Sequence, residues 1–235
     1  MIMANTFRLA LALSLLLAIA RETTAQEQDV HRWPPGVTVP GAVGARQLTR
    51  GGPLPGYYQP VEIIAPPGVA VALPANGQFD QPQPAPAQMG LLIGAVYRLR
   101  ITNIPNHPGV EVFPSIELVD RTYPPAGQER RFAIPIELTE EDLRLAMAGN
   151  FVTRVVYLEN PQHALPAKST GGTDGTGGQH WFDIGPGRDP LAVADNLGRP
   201  IAILRLGARL PTDSNGLPGP DFLYNSPPWL KFPPK

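Results

Sequence analysis

Residues 91–158 open with LLIGAVYRLRITN from Leu91, continue with GVEVFPSIELVD from Gly109 and close on RRFAIPIELTEEDLRLAMAGNFVTRVVYL from Arg130. In the first run Tyr97, Leu99 and Ile101 share one face and Arg98, Arg100 and Thr102 the other, the period of a strand with one buried side. Residues 103–109 carry Pro105 and Pro108 and read as a turn. Val110, Val112, Ile116 and Leu118 repeat the alternation, which turns Glu111 and Glu117 toward solvent. Paired antiparallel, these acids would meet Arg98 and Arg100 across the exposed face, at about 0.2–1 kcal/mol each. Pro114 marks a bulge or an edge position. Phe132, Ile134, Ile136 and Leu138 form a third inward face. Thr139 followed by Glu140, Glu141 and Asp142 then predicts a helix start, because a Thr N-cap and acids in the first turn satisfy the free N–H groups and the dipole. Leu143, Ala146 and Met147 supply its buried stripe and Gly149 its end. Residues 151–158, apolar on nearly both faces, predict a central strand covered twice.

Outward from this segment the composition changes. Residues 91–158 hold 6 of the 30 Pro and 4 of the 24 Gly, and the other 44 fall in the remaining 142 positions from Gln26 onward. That density predicts wrapped loops and polyproline-like arms in the flanks. Residues 26–60 read as an irregular arm, 61–64 and 69–73 as short edge strands, and Pro82, Pro84 and Pro86 as an extended spacer. Residues 168–179, KSTGGTDGTGGQ, read as a low-complexity loop. Asp189 before Pro190 predicts a capped helix ending near Gly198, residues 201–206 a last strand, and 211–235 an extended Pro-rich tail. The expectation is a mainly β domain over 61–210: an antiparallel two-sheet sandwich, Ig-like or related, with one or two short helices and flanking arms. A partly open barrel is the alternative.

The N-terminus sets the compartment. Arg8 precedes an apolar run over 9–20, and Thr23, Thr24 and Ala25 offer a cleavage site before Gln26, so residues 1–25 read as a secretory signal peptide. The run is shorter than the roughly 20 residues a bilayer requires, and no membrane span is expected in the mature chain. With no cysteine, disulfides, thiolate metal sites and a Cys nucleophile are excluded. Past Gln26 the chain keeps 17 of its 19 basic and 19 of its 20 acidic residues, a balance that excludes the concentrated positive surface nucleic acid demands. With the leader, the absent cysteines and IPIELTEEDLRLAMAGNFVTRVVYLE over 134–159, the chain resembles uncharacterised exported bacterial proteins of β-sandwich type. That resemblance implies the compartment and a domain over about 91–206, and no activity.

Chemistry-bearing residues are few. Of His107, His163 and His180 with Asp174, Asp183 and Asp189, the most suggestive acid/base cluster is His180 beside Trp181 and Asp183, with Asp189 further on. No His pair stands at helical metal spacing and no HExxH occurs, so no metal or cofactor is expected. None of the four serines past residue 26, Ser115, Ser169, Ser214 and Ser226, lies in GxSxG. The aromatics say more: Trp33, Trp181, Trp229, Tyr57, Tyr58 and Tyr224 all sit among Pro and Gly, where a ring on a rigid loop serves as a platform for sugars or a partner. Tyr57, Tyr58, Trp181 and Trp229 are the ligand-binding candidates; burial of these rings by arms folded onto the domain is the competing reading. The expected function is an exported, non-catalytic structural or binding module of the cell envelope, engaging a protein or polysaccharide. The alternative is a hydrolase of envelope polysaccharide or peptide using His180, Asp183 and Asp189, which requires these side chains to converge in one pocket.

Overall fold

The computed structural model describes residues 39–51, 55–162, 183–185, 187–207, 223 and 226–233. The expected leader over 1–25, the loop over 168–179 and the stretch 208–222 of the tail lie outside them. The described chain is mainly strand, in several small sheets with three short helices. In order it forms α1 (Ala42–Thr49), β1 (Tyr58–Ile64), β2 (Ala70–Ala72), β3 (Pro74–Ala75), β4 (Gln78–Phe79), β5 (Gln83–Pro84), β6 (Ala87–Leu92), β7 (Val96–Arg98), β8 (Arg100–Thr102) and β9 (Ser115–Leu118). A 3-10 turn (Glu129–Phe132), β10 (Ile134–Glu137), α2 (Glu140–Met147), β11 (Val152–Glu159), α3 (Pro190–Leu197), β12 (Gly198–Leu206) and β13 (Trp229–Lys231) follow.

The two opening runs pair antiparallel in one register, with Val96 opposite Glu117, Arg98 opposite Ser115 and Ile101 opposite Val112. Pro114 has no N–H to return, so Leu99 donates to its carbonyl (2.9 Å) without a reciprocal bond. At that gap the first run divides: β7 stays with β9 in a four-stranded sheet ordered β11-β12-β9-β7, and β8 joins β2 in a three-stranded sheet ordered β5-β2-β8. The Glu117 expectation is corrected. Its side chain is buried, because α1, from the stretch expected to be irregular, lies over the face of β9 that alternation assigns to solvent. Gly44 N–H at the start of α1 donates to Glu117 Oε1 (2.8 Å), and Arg205 on β12 donates to Oε2 (2.7 Å). α1 has Gly41 at its N-cap and no side-chain cap of its own; Glu117 accepts one of the N–H groups that a cap would otherwise take. A Cβ on Gly44 would lie 2.9 Å from both Gly94 Cα and the Leu118 carbonyl, so only glycine permits this approach.

The other four-stranded sheet is ordered β10-β1-β6-β13. β1 runs antiparallel to β6 but parallel to β10, Val61 opposite Ile134; the all-antiparallel expectation is corrected at this pair. Parallel strands need a long crossover, and the chain supplies it by building β7, β8 and β9 between β6 and β10. Residues 61–64 and 69–73 are not at edges either: β1 lies between β10 and β6, and β2 between β5 and β8. Their neighbouring prolines end these strands without removing a donor from inside 61–64 or 70–72. Pro84, expected in a spacer, pairs with Ala70.

β11 is an edge strand, and β12 takes the central place expected for residues 151–158. β11 is apolar on both faces because α3 packs on it while Val152 and Val156 join the core. Phe132 is 44 % exposed rather than inward, since the 3-10 turn breaks the period-2 phase before Ile134. α2 forms as its sequence directs: Thr139 and Asp142 cap each other reciprocally, Leu143 and Ala146 are buried, and Gly149 follows at φ +87°. Asp142 also receives Arg154 Nε and Nη2 (2.7–2.9 Å), which fastens α2 to β11. Val61, Ile63, Leu91, Tyr97, Leu99, Ile116, Leu118, Ile136, Leu204 and Leu206 belong to one contiguous core fed by both larger sheets.

The last described residues add an edge to β6. Trp229 sits opposite Leu91 and Lys231 opposite Met89. Tyr97 Oη donates to the Pro228 carbonyl (2.8 Å), Trp229 Nε1 to the Pro74 carbonyl (3.0 Å) and Arg130 Nη2 to the Pro233 carbonyl (2.7 Å). Burial pushes the Tyr97 hydroxyl up to about 12, against the lowering effect of the Leu92 N–H it accepts.

Candidate binding surface

Residues 119–123, VDRTY, turn away from the end of β9, and the backbone N–H groups of residues 119–122 are each held by a hydrogen bond. Val119 and Asp120 N–H both donate to the Ile201 carbonyl on β12 (2.9 and 3.2 Å). Asp120 Oδ1 accepts from Arg121 N–H (2.7 Å), and its Oδ2 pairs with Arg199 of β12. Arg199 Nη2 reaches back to the Arg121 carbonyl (3.2 Å). From the other sheet, Gln59 of β1 accepts Thr122 N–H (2.9 Å) and donates to the Thr122 hydroxyl (3.0 Å) and the Pro60 carbonyl (2.9 Å). The Thr122 hydroxyl donates onward to the Phe132 carbonyl (3.0 Å). Gln59 is fully buried, so its amide depends on these protein partners rather than on water. The turn is thereby bolted to both larger sheets.

What it presents is a stack of rings and cations. The Arg121 guanidinium lies over the Tyr123 ring at 4.4 Å and over the Tyr57 ring at 5.1 Å, and Arg199 lies over Tyr123 at 5.1 Å. Such contacts contribute about 0.5–1 kcal/mol each at exposed sites. Tyr123 remains 63 % exposed. Chemically, the surface offers a held aromatic face bordered by two guanidinium groups.

The sequence-derived candidates disperse. Tyr57 belongs to the stack. Tyr58, half-buried, stands on β1 over Gly90, where Leu230 and Phe232 of the tail also pack. Trp229 is half-buried with its indole N–H bound to Pro74, in keeping with rings folded onto the domain. Trp181 and His180 lie outside the described residues, as do Trp33 and Tyr224. Asp183 is exposed and accepts Gly185 N–H (2.9 Å), closing its own turn, and Asp189 caps α3 through Leu191 N–H (3.0 Å). Among the described residues no three His, Cys, Asp or Glu side chains are grouped to hold a metal, and no helix is long and apolar enough to cross a membrane. Arg121, Tyr123 and Arg199 escaped the sequence reading. Tyr123 precedes Pro124 and Pro125, the context that singled out the other aromatics, and was the available signal; Arg199 had none, because its position depends on how β12 pairs with β9. Comparison with protein-family models, with curated proteins and with solved structures finds no match.

Proposed function

We propose that the chain is an exported, non-catalytic binding module of the cell envelope, and that the surface built from Tyr57, Arg121, Tyr123 and Arg199 is where it holds its polymeric partner. Export rests on Arg8, the apolar run over 9–20 and the small residues before Gln26. The fold inferred with it is a two-layer sandwich, in which the two four-stranded sheets face each other across the shared core; Gln59 and Ile201, both bonded to the 119–123 turn, tie one layer to the other.

The observation that carries the reading is Tyr123: a large ring left mostly in solvent yet held by two arginines, next to a backbone hydrogen-bonded through residue 122. Ordering such a ring before binding removes part of the entropy that association otherwise costs, and ring anchors of this kind dominate binding energy. The test is retention of the mature chain from Gln26 on immobilised envelope polysaccharide and on the protein fraction of the envelope. Tyr123→Ala is expected to weaken retention about tenfold or more, the loss of a hot-spot residue, in a chain that still melts cooperatively. Retention indifferent to Tyr123→Ala overturns the proposal.

A further inference from the structure

We infer that Arg121 is an anion receptor and that the surface selects an acidic polysaccharide whose sugar rings bear carboxylates; this rests on the binding reading above. Four arginines of the two-sheet junction and its neighbourhood can be compared directly. Arg154 is paired with Asp142, Arg199 with Asp120 and Arg205 with Glu117. Arg121 differs: its guanidinium meets two rings, and among the described residues no carboxylate or carbonyl accepts from it. Its Nε is shut off from solvent, so an incoming acceptor meets the Nη end of the guanidinium.

Position as well as charge favours an incoming anion. Asp120, the acid beside Arg121 in the chain, is already spent on Arg199 and on the Arg121 backbone N–H. The cluster therefore sets two guanidinium charges against one carboxylate. Ring contacts engage the faces of a guanidinium and leave its two Nη groups, a fork whose N–H donors match a carboxylate bidentately. Tyr57 and Tyr123 hold Arg121 in this way, so the fork is oriented before any ligand binds.

The neighbouring Tyr123 narrows the ligand class. A uronic acid has an apolar ring face and a carboxylate on the ring edge, so it covers Tyr123 and meets Arg121 with one residue. An acidic peptide supplies the carboxylate on a flexible stem without the flat face. A polyphosphate chain demands a run of cations, and this chain is close to neutral with a formal net charge of −1.

The experiment is calorimetric titration of the mature chain from Gln26 with polygalacturonate, with its methyl ester, which keeps the sugar chain and removes the charge, and with polyglutamate. Polygalacturonate is expected to bind about tenfold to hundredfold tighter than the ester, the range for a hydrogen bond to a charged group, and polyglutamate to bind no better than the ester. Arg121→Gln is expected to erase the preference for acid over ester in a chain that still melts cooperatively, with Arg121→Lys intermediate. A preference that survives Arg121→Gln, or polyglutamate binding equal to polygalacturonate, overturns the inference. Acid and ester bound equally, and both lost in Tyr123→Ala, overturn the inference and leave the binding surface standing. No binding of any probe by a chain that melts cooperatively overturns the inference, while the binding surface itself is decided by the retention of Tyr123→Ala on the envelope fractions.

Discussion

Glu117 and Arg205 form a pair with almost no access to water, and one carboxylate oxygen of that pair also holds the start of α1. Two of the Arg205 nitrogens, Nε and Nη2, are buried without a partner, so the pair is incompletely satisfied. Its desolvation cost is large and removal of one partner strands the other. Glu117→Leu or Arg205→Met alone is expected to cost about 3–5 kcal/mol in urea unfolding. The double variant is expected to be more stable than either single, because an apolar pair leaves no uncompensated charge. Additive losses would contradict this. Tyr97 gives a pH dependence of definite sign. Unfolded, its hydroxyl ionises near the ordinary value of 10.0; folded, it holds its proton to about 12. Its contribution is therefore complete below pH 10 and is lost as pH rises from 10 to 12. Tyr97→Phe should flatten that alkaline loss, while lowering stability at pH 7 by about 1–3 kcal/mol because Leu92 N–H loses its acceptor. Alternation in the sequence identified Tyr97 as buried but assigned Glu117 to solvent. A period-2 pattern reports which residues share a face, and what covers that face is decided by a helix seventy residues away in the chain.

Among the elements, α2 was the most legible, because its cap, stripe and stop are all local: Thr139, Leu143, Ala146 and Gly149 lie within eleven residues. α1 was invisible for the opposite reason. Its N-cap is a glycine, its capping acid is Glu117, and its contact with the sheet depends on Gly44 lying against Gly94. Gly44→Ala places a methyl group against backbone on two sides and is expected to destabilise by about 1–3 kcal/mol; limited proteolysis should then cut within 42–49 before it cuts the sheets. Unchanged protection of 42–49 would mean that the approach relaxes at no cost. The tail strand β13 covers the outer edge of β6, where exposed ladder groups otherwise invite another chain. Truncation after residue 225 is expected to lower stability and to produce concentration-dependent association on sedimentation. A truncated chain that stays monomeric would show that this edge needs no cover. Residues 151–158 were read as central although β11 lies at the edge, because hydrophobic content reports covered faces, and α3 packs against β11.

At the scale of the molecule, the candidate surface draws Tyr57 from the approach to β1, Arg121 and Tyr123 from the turn after β9, and Arg199 from the start of β12. The mainly β class and the strand runs over 96–118 were legible from alternation, and residues 201–206 were read as a last strand. The surface was legible only in Tyr57, since the other three residues meet through sheet pairing that sequence spacing does not encode. Hydrogen exchange of the mature chain, free and saturated with polygalacturonate, addresses the central claim most directly. Protection is expected to rise at 57–59 and 120–123, where backbone and rings carry the bound polymer, with 226–233 unchanged. A footprint confined to the tail strand, or no footprint at 120–123 under saturating polymer, would contradict the account.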